Sequence, residues 1–124
     1  MRIKTLAATA LVALTGAFGA TAVAQADHLT PTKVTIKGDE GDYYGYVKSS
    51  DYDCENDRTV KVYKMEGSSP SPKTDLLIGT DTSSPNGPDG MWSIGNSGYK
   101  DGSFYAKVKK SGYCGGDISK VITR

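Results

Sequence analysis

Four acids stand at alternate positions, Asp51, Asp53, Glu55 and Asp57, around one of the chain's two cysteines, Cys54. Carboxylate oxygens are hard ligands that suit Ca²⁺, and D-x-D-x-E opens like a calcium loop. The pattern then departs from one. Asn56 stands where the loop glycine belongs, and Val62 occupies the twelfth position, where a bidentate Glu is needed. On an extended segment the four side chains would share one side and repel one another without a cation. These residues therefore offer at most a weak extracellular Ca²⁺ site. The simpler reading is an acidic, solvated loop partly balanced by Arg58.

Catalytic chemistry finds little to work with. The single histidine, His28, lies near the start of the folded part, where chains are usually mobile, and a triad needs a held base. Asp39, Glu40 and Asp42 supply adjacent acids, but in a glycine-flanked turn such acids are solvated. The expectation is a non-enzymatic protein with no cofactor.

Cys54 and Cys114 allow one intramolecular pairing, closing a loop of about 60 residues. In the chain-entropy account such a closure contributes about 4 kcal/mol. A redox pair would sit as C-x-x-C, and a zinc site needs more ligands. An extracellular setting makes a structural disulfide the expectation.

That setting comes from the first 26 residues. Arg2 and Lys4 precede an uncharged apolar stretch, roughly 6–23, interrupted by Thr15, Gly16, Gly19 and Thr21. Ala24 and Ala26 give the small-x-small pattern of a cleaved signal peptide. The expected organisation is a leader, 1–26, and one domain, 27–124, secreted outside the cell and free of the membrane once the leader is removed. The whole chain has 15 basic and 14 acidic residues, and the leader holds two of the basic ones. The remainder, with 13 against 14, lacks the basic excess of a nucleic-acid-binding protein.

Alternation with period two recurs along 27–124, and no helical period does. Strand-like runs fall at 33–37, 43–49, 58–64, 76–82, 91–94, 103–110 and 117–123. Val34 and Ile36, Val60 and Val62, Trp92 and Ile94, and Phe104, Ala106 and Val108 form inward faces. Segments rich in Gly, Ser, Pro, Asn and Asp separate the runs. About seven short strands of this kind read as an antiparallel, all-β, Ig/prealbumin-like β-sandwich. The two cysteines fall in loops expected at one end, where a bridge would clip them together.

Tyr44, Tyr46, Tyr63 and Tyr105 fall on the faces that alternation turns outward, flanked by Lys48, Lys61 and Lys107. Together they could form an aromatic binding patch for a cell-wall glycan or an extracellular protein. The plainer reading is cross-strand stabilisation of an exposed sheet. The segment 66–75, with Lys73, offers a third possibility as a protease-inhibitory loop, although nothing in the sequence stiffens it.

Gly45 and Val47, the G-T-D of Gly79 to Asp81, Gly90 with Trp92, and the run Gly102 to Val108 form a shared grammar. In it the chain resembles small secreted actinobacterial domains akin to prealbumin-like modules, the carboxypeptidase regulatory-like and Cna B types. The resemblance implies the sandwich fold and leaves function open. Cna B modules often carry a Lys–Asn or Lys–Asp isopeptide bond promoted by a buried acid. The final strand here has no Asn and no matching Glu precedes a late strand, so none is expected, and the Cys54–Cys114 bridge would be the covalent lock. The expectation is a monomeric structural or binding module.

Overall fold

The β-branched and aromatic residues that alternate in the sequence become the pleats of two packed sheets. The structure is a computed structural model that describes residues 28–84 and 87–124. The expected leader, 1–26, lies outside the described residues. The strands are β1 (Thr32–Val34), β2 (Lys37–Asp39), β3 (Asp42–Ser49), β4 (Thr59–Lys64), β5 (Leu76–Thr82), β6 (Met91–Ile94), β7 (Ser103–Val108), β8 (Asp117–Ile118) and β9 (Ile122–Thr123). One helical turn, α1 (Tyr52–Glu55), joins β3 to β4.

Nine segments fill seven strand positions. β1 and β2 run along one edge of β3 in a single register, with Val34 opposite Val47 and Lys37 opposite Tyr44. β6 holds the other edge of β3. In the second sheet β5, β4 and β7 lie side by side. β8 and β9 both pair with β7, offset by one residue from each other. Every one of these pairings is antiparallel.

The same device interrupts both split strands. At Thr35, between β1 and β2, the side-chain Oγ1 accepts the Tyr46 amide at 2.9 Å. At Ser119, between β8 and β9, Oγ accepts the Ala106 amide at 2.8 Å. In each case a hydroxyl stands in for a strand carbonyl, so the ladder bends without orphaning a donor. The β2–β3 hairpin closes through Glu40 (φ 52°) and Gly41 (φ 89°), the two positive φ values that a type I′ turn needs.

The chain passes between the sheets from β3 to β4 at α1, from β5 to β6, and again from β6 to β7. Val34, Ile36, Tyr43, Val47 and Trp92 of the first sheet pack against Val60, Val62, Phe104, Ala106, Val108 and Ile122 of the second. Fully burying a side chain of this size contributes about 1.5–3 kcal/mol. Tyr43 joins the core with its ring 4.7 Å from Phe104, while its hydroxyl donates to the Tyr99 carbonyl at 2.7 Å. The Trp92 indole N–H is buried without a partner among the described residues. The structure is thus an all-β, two-sheet antiparallel sandwich of seven strand positions.

Ser119→Ala should cost about 1–3 kcal/mol in urea unfolding, because it strands the buried Ala106 amide. Thr35→Ala should cost less, since Tyr46 lies at the solvent surface.

Candidate functional site

Cys54 in α1 and Cys114 in the β7–β8 loop are joined, with Cα atoms 5.4 Å apart, and both are buried. Beside them lies Arg58, only 4% exposed. Its Nη1 donates to the Cys54 carbonyl at 2.8 Å. Its Nη2 donates to the carbonyls of Lys109 at 2.7 Å and Gly115 at 2.9 Å. No carboxylate pairs with it among the described residues, so the sequence reading that set Arg58 against the acidic loop is corrected. Burial pushes its pKa down, but a guanidinium keeps its charge in proteins. The backbone of Arg58 is held as well, its amide donating to Ser83 Oγ and its carbonyl accepting the Ser83 amide.

Asn56 completes this pole. Its Oδ1 accepts the Gly90 amide at 3.0 Å and its Nδ2 donates to the Tyr52 carbonyl at 3.1 Å. Gly90 has φ 76°, and a Cβ there would lie 2.0 Å from the Val47 carbonyl oxygen. Only glycine fits this turn.

The four acids proposed as calcium ligands are not brought together. The segment is a helical turn rather than an extended one, so alternate residues do not share a side. Asp51 caps α1 by accepting the Asp53 amide at 2.9 Å. Glu55 turns back to accept the Ser49 amide at 3.1 Å. The Asp51 carboxylate holds the Tyr113 phenol above its usual range, linking the acidic turn to the other cysteine loop. Among the described residues no three or more of His, Cys, Asp and Glu are placed to hold a metal.

The four tyrosines separate into two pairs. Tyr44 and Tyr46 are 41% and 39% exposed on the outer face of β3. Met91 lies directly opposite Tyr46, and Lys48 Nζ sits 5.8 Å from the Tyr46 ring centre. Tyr63 and Tyr105 are 8% and 0% exposed, which corrects their reading as surface residues. Their strand face was read correctly, since they lie opposite one another and stack at 5.4 Å. The 65–75 segment folds over that face and covers them.

Asp75 pins this cover, and nothing in the sequence reading singled it out. Its carboxylate accepts the Tyr105 hydroxyl at 2.5 Å and the amides of Glu66 at 2.9 Å and Ser71 at 2.7 Å. The Tyr105 bond and those amides hold the Asp75 carboxyl below its usual range. Burial, and then the Asp75 bond, push the Tyr105 phenol up. The one available signal was an Asp closing a Ser/Pro/Thr stretch, where short polar side chains bond nearby amides. Lys73 remains exposed on this pinned segment.

The remaining candidates also stay apart. Asp39 faces Asp42 across the hairpin, but Asp42 accepts the Asn96 amide and Glu40 pairs with Lys100 at 3.9 Å. His28 is exposed at the start of the described chain. No catalytic constellation is evident among the described residues. No protein-family model matches the chain, nor does any curated protein or solved structure.

Arg58→Met should cost at least about 3 kcal/mol, because it leaves two buried carbonyls, of Cys54 and Gly115, and the part-buried Lys109 carbonyl unanswered. Arg58→Lys should recover only part of that in denaturant unfolding, since one ammonium lacks the guanidinium fork. A depressed Asp75 pKa stabilises the fold above the ordinary carboxylate range, and that stability disappears as pH falls through the lowered value. The drop in melting temperature from pH 5 to pH 2 should therefore be larger for the unmodified protein than for Asp75→Asn.

Proposed function

We propose that the protein is a secreted, non-enzymatic binding module whose contact surface is the Tyr44–Tyr46 face of β3. The observation that carries this reading is the pair of large aromatic side chains left open on one strand face. Every other tyrosine on a strand is buried. Residues two apart on a strand lie about 7 Å from each other on one side. That spacing lets two rings lie under successive units of an extended chain such as a cell-wall glycan. Met91 widens the apolar surface, and Lys48 supplies a polar edge.

The scaffold supports this role. The platform sits on the central strand of its sheet, between the β1–β2 edge and β6, with the core packed beneath it. A rigid aromatic surface loses little conformational freedom on binding. The disulfide fits an oxidising compartment, as does a leader at 1–26 removed on export. The prealbumin-like resemblance belongs to the same reading, as a monomeric module displaying one sheet face.

The oxidised protein should be retained by insoluble cell-wall glycan in a sedimentation assay. Tyr44→Ser with Tyr46→Ser should weaken retention about tenfold or more, as expected when two contact residues each cost about 1 kcal/mol or more. The melting temperature should stay unchanged, because both side chains are half exposed. Equal retention of the double variant would end the reading.

A further inference from the structure

The outer face of the second sheet carries a concentration of positive charge that the platform on the first sheet does not use. Lys61 of β4 lies directly opposite Lys107 of β7. Like charges in that relation destabilise a sheet. Lys109 and Lys110 follow β7, and these four lysines line a concave pocket of about 350 Å³, with Tyr63 and Asp57 also in its wall. Asp57 is the one carboxylate there, and it forms no ion pair with any of the four. Among the described residues the sole ion pair is Lys100 with Glu40. Arg58 also reaches the wall, but its guanidinium is committed to backbone carbonyls.

Outside the leader the chain has slightly more acids than bases, so this clustering is local and not a product of composition. A repulsive lysine pair held in a concavity, without a counter-charge of its own, is most stable when a ligand supplies one. We propose that the pocket binds a compact dianion, the phosphate group of a monoester or of pyrophosphate. A phosphate monoester carries about −1.5 to −2 charges at pH 7 in one small volume, with three acceptor oxygens for several ammonium groups at once. Lysine ammoniums bind phosphate as point charges, whereas flat carboxylates are best matched by an arginine fork, and Arg58 is not free to offer one. The hydroxyls of Thr59 and Ser111, both in the pocket wall, add donors. An acidic peptide would bring its charges singly and spaced along a chain.

This site stands apart from the tyrosine platform, on the opposite sheet, and does not depend on it. None of the titratable groups facing the pocket is a histidine, the side chain that ordinarily changes charge between pH 5 and 8. Phosphate itself gains a proton near pH 6.

Calorimetric titration of the oxidised protein with inorganic pyrophosphate and with glucose 6-phosphate tests the assignment. Both should bind at pH 7.5 and raise the melting temperature. Glucose 6-phosphate should bind several-fold more weakly at pH 5, where its phosphate holds one charge. Lys61→Ser with Lys107→Ser should weaken both ligands at least tenfold, while its own melting temperature without ligand stays equal or rises as the repulsion is relieved. Lys37→Ser with Lys120→Ser removes two exposed lysines that line neither this pocket nor the tyrosine platform, and should change affinity less than twofold. Absence of binding at 10 mM would overturn the assignment. So would equal losses in the two double variants, or tighter binding of a poly-glutamate peptide than of pyrophosphate.

Discussion

A buried guanidinium with no carboxylate to answer it among the described residues sets the terms for this fold. Arg58 leaves water at a high cost, and backbone oxygens from three separate segments repay it. Those oxygens belong to Cys54, Lys109 and Gly115, so one side chain fixes α1, the end of β7 and the approach to β8 relative to β4. The disulfide joins two of the same segments covalently. The bond limits how far they separate, and the guanidinium decides how they face one another. Ser83 and Asn56 extend this pole to the β5–β6 connection through hydrogen bonds to Arg58 and Gly90. All three crossings between sheets do not end here, but the first two do.

With the pole held, each sheet can use its outer face differently. The first sheet leaves Tyr44 and Tyr46 open. The second hides Tyr63 and Tyr105 beneath a segment pinned by Asp75, and leaves its lysines around an open pocket near the pole. The hydroxyl substitutions at Thr35 and Ser119 belong to the same economy of structure. Each lets an edge strand bend over the core while the facing amide, of Tyr46 or Ala106, keeps an acceptor.

The inward faces were legible because alternation alone decides them. Val60 with Val62, and Phe104 with Ala106 and Val108, needed no knowledge of partners. The cysteine pairing was legible because two cysteines allow one bridge. The breaks at Thr35 and Ser119 were not, since a hydroxyl replaces a carbonyl only where a particular partner amide faces it. For Tyr63 and Tyr105 the side of the sheet was readable. Their cover was not, because it comes from a loop whose path depends on Asp75 meeting Tyr105 some 30 residues away. Arg58, set among acids, reads locally as a surface charge. Its partners come from positions 4, 51 and 57 residues distant. The acids of 51–57 misled for a related reason, as a capping Asp51 converted an extended run into a turn of helix. Lys61 and Lys107 were readable only as flanks of a tyrosine patch until the strand register set them face to face.

Native-state hydrogen exchange followed by NMR tests most directly whether the Arg58 pole organises the fold. The informative amides are those of Arg58, Ser83, Gly90 and Gly115, each bonded within or beside the pole. If the pole is the common constraint, they exchange only through global unfolding, with the same opening free energy as the core amides of Val62 and Ala106. Exchange of the pole amides by local opening, orders of magnitude faster than the core, would contradict it.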